Sequence, residues 1–160
     1  MTENELKNLL AAVTPPDEAA RAAAHAHWAA LAKPLGGLGR LEAMVEDAAA
    51  LTGDPVPDVS RRAVLVLCAD NGVVAEGVTQ TGQEVTAVVA GNMTRGASSV
   101  CQMAKVAGAK VLPVDIGMAR PVPGTIDRCV RRGTGNMAKE PAMTREEAEK
   151  AMEVGIEKVR

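Results

Sequence analysis

The sequence predicts an α/β protein: N-terminal helices followed by a partial parallel-sheet, Rossmann-like βαβ domain. Three observations carry this. The stretch DEAARAAAHAHWAALA is rich in the best helix former and meets no breaker until Pro34. RAVLVLCAD, residues 62–70, is a short, nearly continuous apolar run, which is the mark of a parallel strand covered on both faces. KVLPVDIG, residues 110–117, has the same character and follows a long helical segment, so the order is strand, helix, strand. The chain divides accordingly into a helical segment, residues 1–57, and an incomplete α/β domain, residues 58–160.

Taken in order, residues 1–52 read as helices. Thr14 precedes Pro15 and Pro16 as an N-cap, and Asp17 and Glu18 suit the first turn that follows. A further helix begins near Leu38 and places Leu41, Met44, Val45, Ala48 and Leu51 on one stripe. Gly53, Pro55 and Pro57 end it. After the first strand comes a loop over residues 70–81. One long helix then spans about Gly82 to Lys105, with Val85, Val88, Val89, Met93, Val100 and Met103 at helical spacings and Gly108 as its stop. Pro113 places the second strand at an edge or a bulge. Residues 118–143 are Gly- and Pro-rich and give no assignment. The last helix starts near Thr144, which with Glu147 forms a capping-box pattern.

Composition narrows the function classes. The apolar residues are aliphatic or sulfur-bearing, with one Trp and neither Phe nor Tyr, so the core rests on aliphatic packing with Met filling gaps. A net charge of −2 and the lack of stacking aromatics argue against nucleic acid. The tightest basic group, Arg128, Arg131 and Arg132, reads as a solvated surface. Cys68, Cys101 and Cys129 are widely spaced and show no zinc-binding spacing, which fits reduced thiols in the cytoplasm. His25 and His27 fall on different faces of a helix and make no shared metal site. No stretch approaches the roughly 20 apolar residues that span a bilayer, and the N-terminus does not read as a signal peptide. We expect no metal and no membrane.

The candidate site follows from topology. Ligands on parallel sheets sit beyond the carboxyl ends of the strands. Those ends are Asp70-Asn71-Gly72 and Asp115-Ile116-Gly117. Each Asp either binds a sugar hydroxyl or orients a donor, or else caps its own turn. The start of the long helix, Thr81-Gly82-Gln83-Glu84, offers free N–H groups to an anion, while Thr81 with Glu84 also matches a capping box. The residues alone lead to an α/β domain with a small-molecule cleft.

Several segments, taken together, carry the chain further. They are Lys33-Pro-Leu-Gly-Gly-Leu-Gly-Arg-Leu-Glu42, Asp70-Asn-Gly-Val-Val-Ala-Glu-Gly-Val78, Glu84-Val-Thr86, Asn92-Met-Thr-Arg-Gly96, Ala107-Gly-Ala-Lys-Val111, Val114-Asp-Ile-Gly117, Arg132-Gly-Thr-Gly-Asn136 and Pro141-Ala-Met-Thr144. In this order and at these spacings they resemble the N-terminal half of the nicotinate-nucleotide–dimethylbenzimidazole phosphoribosyltransferase family. The resemblance implies transfer of phosphoribose from nicotinate mononucleotide to 5,6-dimethylbenzimidazole without a cofactor, in a homodimer. It implies a base-binding wall made of Asp70, Asn71, Gly72, Thr81 and Val89, beside which the strand-end topology adds Asp115 as a substrate-binding candidate. Asn71 stands where the family usually has His, and Val89 where members have a Gln that holds the base; Thr81 keeps the family's hydroxyl. Asn92 and Arg95 match the family's NMTRG stretch. The family's catalytic glutamate and main phosphate loop belong to its other half, so no catalytic residue is assigned here, and neither Glu76 nor Glu84 replaces the base.

Three functions compete. The chain is part of a phosphoribosyltransferase, inactive alone; or it is a non-catalytic base-binding or assembly module; or it is a fragment without independent function. Two parallel strands with open edges predict a homo-oligomer or a companion chain that supplies the C-terminal half.

Overall fold

The structure, a computed structural model, describes residues 2–159. Its internal contacts separate residues 2–60 from residues 61–160.

The first unit holds three helices, α1 (Glu3–Ala11), α2 (Glu18–Ala30) and α3 (Arg40–Thr52). The N-cap of α2 is Asp17, not Thr14: its carboxylate accepts the Ala19 and Ala20 N–H groups at 2.9 and 3.0 Å. The two prolines lie outside the helix and Asp17 is the first residue able to cap it. Helices α2 and α3 meet through small side chains, with Ala20, Ala24, Ala49 and Ala50 buried. The Arg21 guanidinium pairs with Asp47 across this contact. The expected apolar stripe on α3 is therefore not the buried one; Leu41, Met44 and Leu51 are exposed. Lys33 and Glu42 close the glycine-rich turn between the helices with a half-buried ion pair at 2.9 Å.

The second unit carries the sheet. Strand β1 (Ala63–Ala69) pairs in parallel with β2 (Lys110–Gly117), as the two apolar runs predict. A third parallel strand, β3 (Ile126–Asp127), lies on the other side of β2 and comes from the stretch that gave no assignment. Pro113 thus sits in the central strand, contrary to the edge expectation. The ladder tolerates it for a local reason. The Lys110 N–H donates to the Arg62 carbonyl, so by alternation the Pro113 nitrogen faces away from β1, and pairing with β3 begins only at Val114. The bulge lies further on: Cys68 faces Asp115 and Ala69 faces Gly117, leaving Ile116 as the extra residue.

The single long helix expected after β1 is two helices, α4 (Glu84–Thr94) and α5 (Ser99–Ala107). Gly96 breaks it with φ +71°, the Ala97 N–H closing on the Asn92 carbonyl at 2.8 Å. Ser98 then caps the new helix by accepting the Cys101 N–H. Both helices pack on the sheet around Cys68, Ala90, Met93, Cys101 and Met118, a core dominated by sulfur side chains. Gly108 ends α5 in the left-handed region, as expected. Helix α6 (Arg145–Val159) starts with the Thr144–Glu147 capping box fully formed: the Glu147 N–H donates to the Thr144 Oγ1 at 3.2 Å and the Thr144 N–H to the Glu147 carboxylate at 2.8 Å.

Candidate functional site

Because β1 and β2 run parallel, their carboxyl-terminal loops share one edge of the sheet. Both aspartates there are buried, Asp70 at 3% and Asp115 at 1% exposure, and both are committed to the protein. The Asp70 Oδ2 accepts the Ala119 N–H at 2.7 Å, so it ties its own strand end to the loop after β2. The Asp115 Oδ1 accepts the Met118 N–H at 2.9 Å, and its Oδ2 accepts Nη1 of Arg132 at 2.5 Å. Asp115 thus caps its own turn, whereas Asp70 braces the loop that follows β2. Among the described residues, no buried side-chain N or O atom lacks a partner.

The chain after β3 is strapped across this edge. The Thr134 N–H donates to the Asp70 carbonyl and the Gly133 N–H to the Gly117 carbonyl, each at 3.0 Å. The Gly72 N–H donates to the Thr134 Oγ1 at 3.1 Å. Gly72 lies so close to this strap that a Cβ would meet the Thr134 carbonyl oxygen at 2.5 Å, which gives the glycine its physical reason. The three arginines reach solvent, as expected of a solvated surface, and each also holds a carboxylate: Arg128 that of Glu157, Arg131 that of Glu147 and Arg132 that of Asp115.

Beside the edge lies a cleft of about 520 Å³. Four consecutive residues of β1, Val66 to Ala69, form one side of it; the turn Asn71–Val74 and the approach to α4 form the others. Asp70, Asn71, Thr81 and Val89 all line this cleft, and Val89 is 43% exposed rather than packed into the core. Gly72 does not line it; it faces a neighbouring hollow of about 530 Å³ with Gln83, Glu84, Arg132 and Thr134. Asp115 lines neither of these spaces. The expected Thr81–Glu84 capping box is absent: α4 is preceded by Gln83 and has no side-chain cap. The Thr81 N–H bonds to the Thr79 hydroxyl, which leaves the Thr81 side chain at the cleft.

Two residues that lie within segments singled out by the sequence, but carry no role of their own there, matter here. Gln83 Nε2 donates to the Asn71 carbonyl at 3.0 Å, and Thr134 holds Gly72 as described. Both partners are backbone groups far along the chain, and no spacing pattern reports such contacts.

The electrostatics limit the chemistry. Among the described residues, Asp70 is the one carboxylate lining the cleft, and one of its oxygens is taken. Glu76 is held below the usual carboxylate range by the Lys139 ammonium first and the Asn136 amide second. Cys68 lies at the cleft but is buried, and burial first, then the Asp115 and Asp70 charges, push its thiol up, so it is a poor nucleophile. Among the described residues, no cluster of three His, Cys, Asp or Glu side chains is placed to hold a metal ion. Nor is any helix among them long and apolar enough to cross a membrane. The arrangement can hold a small flat molecule between aliphatic side chains and offer it a hydroxyl and amide groups.

A family model described as a phosphoribosyltransferase matches residues 13–160. The chain is similar to the nicotinate-nucleotide–dimethylbenzimidazole phosphoribosyltransferase of Escherichia coli O1:K1 / APEC, with 48% identity over 150 residues, covering 92% of this chain and 42% of the relative. The enzyme of that name from Shigella boydii serotype 18 matches with the same identity and coverage. A crystal structure of the enzyme from Thermus thermophilus superimposes with a TM-score of 0.78 at 42% identity, over 88% of this chain and 44% of that one. The chain thus spans less than half the length of the relatives it matches.

Proposed function

Because the chain belongs to the nicotinate-nucleotide–dimethylbenzimidazole phosphoribosyltransferase family, we propose that it forms the base-side wall of a cleft in which phosphoribose passes from nicotinate mononucleotide to 5,6-dimethylbenzimidazole. The observation that carries the proposal is the convergence of Asn71, Thr81 and Val89 on one cleft beside the carboxyl end of β1.

In this reading the aromatic base lies flat between Val89 and the aliphatic side chains of β1, while Thr81 and Asn71 meet its polar edge. Asp70, Gly72 and Asp115 hold the walls and do not react. A base nitrogen attacks the anomeric carbon of the mononucleotide. The bond to the pyridinium nitrogen breaks and its electron pair leaves with nicotinate, so the leaving group gains a neutral ring. α-Ribazole phosphate forms once the attacking base has lost its proton. That proton needs a carboxylate with a free oxygen in the right place. The cleft's own carboxylate, Asp70, is buried with one oxygen tied to the Ala119 amide, and the family resemblance puts the acceptor in the part of the fold outside residues 1–160.

The same wall motivates a partner. Among the described residues β1 pairs on one side only, and Leu67 stands 46% exposed within this apolar strand. A further polypeptide segment, in a second copy or a companion chain, covers that edge in the working protein. Free thiols at Cys68, Cys101 and Cys129 suit a reducing cytoplasm.

The test is calorimetric titration of the chain with 5,6-dimethylbenzimidazole, followed by assay for α-ribazole phosphate. Saturable binding without turnover by residues 1–160 is expected, and turnover on adding the remainder of a family member. Absence of binding overturns the proposal. Binding with no turnover in any combination favours the second reading, a non-catalytic base-binding module.

A further inference from the structure

We propose that Gln83 is a positioning residue of this cleft: its side-chain amide fixes the Asn71–Gly72 peptide at the distance from α4 at which both walls meet one ligand. The inference rests on the reading of the cleft as a base site.

Gln83 occupies the position before α4 with helical backbone angles, φ −64° and ψ −21°, yet its side chain caps nothing in that helix. Instead it crosses to the loop after β1, where Nε2 donates to the Asn71 carbonyl at 3.0 Å. That carbonyl already accepts the Val74 N–H at 3.2 Å, the bond that opens the short 3-10 turn Gly72–Glu76. A carbonyl oxygen has two lone pairs, so the turn forms and the Asn71 carbonyl has a partner without Gln83. The added bond contributes placement, not closure of the fold.

The same peptide is gripped from its other side. The Gly72 N–H donates to the Thr134 Oγ1 at 3.1 Å, and Gly72 abuts the strap too closely for any side chain. The Asn71–Gly72 unit is therefore held at its carbonyl by the start of α4 and at its amide by the strap. Asn71, Thr81 and Val89 belong to the two walls that the Gln83 bond joins. Gln83, with Val74, lines both the cleft and the neighbouring hollow. Loss of the bond frees the Asn71 side chain to move relative to Thr81 and widens the cleft, while leaving the strand pairing intact.

Two variants of the 160-residue chain separate placement from folding. Gln83→Leu keeps the bulk and cannot donate; Gln83→Lys keeps a donor at similar reach. Each is titrated with 5,6-dimethylbenzimidazole and melted in urea, and the exchange of the Gly72 amide is followed without ligand. The expected result is binding weakened about two- to tenfold in Gln83→Leu, the scale of one hydrogen bond. The urea midpoint stays unchanged, Gly72 exchange is faster, and Gln83→Lys recovers both binding and protection. Unchanged binding and exchange in Gln83→Leu, or a loss of binding matched by a loss of stability, overturns the positioning role. Wild-type chain that fails to bind the base removes the proposed function and this inference together; wild-type binding equalled by Gln83→Leu removes this inference alone.

Discussion

Arg132 reaches back 17 residues to donate from Nη1 to the buried Oδ2 of Asp115 at 2.5 Å. The pair joins the strap that follows β3 to the end of the central strand. The Asp115 side chain is 2% exposed and that of Arg132 is 40% exposed, so the arginine side is wet and the carboxylate side dry. Arg132→Ala leaves a buried charge with only the Met118 amide for company. We expect a lower urea midpoint, with a smaller fall than breaking a fully buried pair would give, because water reaches the vacated side. Adding Asp115→Asn to Arg132→Ala should restore part of it, since the uncompensated charge is then gone. Urea midpoints of the single and double variants check this.

Gly72→Ala tests the fit of the strap. The added methyl would meet the Thr134 oxygen at 2.5 Å and the Asn136 nitrogen at 2.8 Å, both backbone atoms. Backbone cannot step aside as a flexible side chain can, so we expect about 1–3 kcal/mol of destabilisation, the usual cost of overpacking. Gly155→Ala is the control, because nothing lies within reach of a Cβ there; it should be neutral or slightly stabilising in thermal melts.

Val89→Gln tests specificity in the cleft. Val89 can offer a ring only an apolar surface, so the present chain should discriminate weakly among benzimidazoles. A Gln at this exposed position adds one hydrogen bond, about 0.5–1.5 kcal/mol net. Selectivity for bases with a matching acceptor or donor should rise more than affinity in general, as read from competition titrations.

A pH dependence is expected from Glu157, whose carboxyl is lowered to about 2 by hydrogen bonds from Arg128 first and Lys158 second. A depressed pKa means the folded state binds protons less readily than the unfolded one. The contribution is therefore complete above the ordinary carboxylate value of 4.5 and is lost as pH falls toward 2. Glu157 lies on the exposed side of α6, so the effect is small. Glu157→Gln should lower stability slightly near neutrality, where the contribution is complete, and flatten its fall in that window so that the two chains converge at low pH, as measured by denaturation at about pH 3 and about pH 6, on either side of the ordinary carboxylate value.

Much of the fold was legible because the signals were local. The two apolar runs gave β1 and β2, Gly108 gave the stop of α5, and Thr144 with Glu147 gave the start of α6. The break between α4 and α5 was hidden because Val100 and Met103 continue the helical spacing of Val85 and Val89 through Gly96. β3 was hidden because two residues, Ile126 and Asp127, cannot show a period; their partners Val114 and Asp115 define them. At the site, topology pointed to the Asp70 loop, Thr81 and Asp115 and the family resemblance added Val89; Asp70, Asn71, Thr81 and Val89 line one cleft and Asp115 does not. Topology could not decide between ligand and cap for the two aspartates, since that depends on the amides of Met118 and Ala119 and on Arg132. Gln83 fell within a stretch recognised as a helix start, but its partner is a carbonyl on another loop.

The sulfur-rich core of the second unit has an optical and magnetic consequence. The chain's one Trp is Trp28, in the helical unit, and there is no Phe or Tyr. Residues 61–160 therefore contain no benzenoid or indole ring. Intrinsic fluorescence reports on the helical unit alone, and melting of the sheet passes without a near-ultraviolet signal of its own. A benzimidazole seated in the cleft would be that unit's only large aromatic chromophore and its only strong source of ring current. Upfield-shifted methyl resonances would then name the valines beside the ring without any correction for the protein.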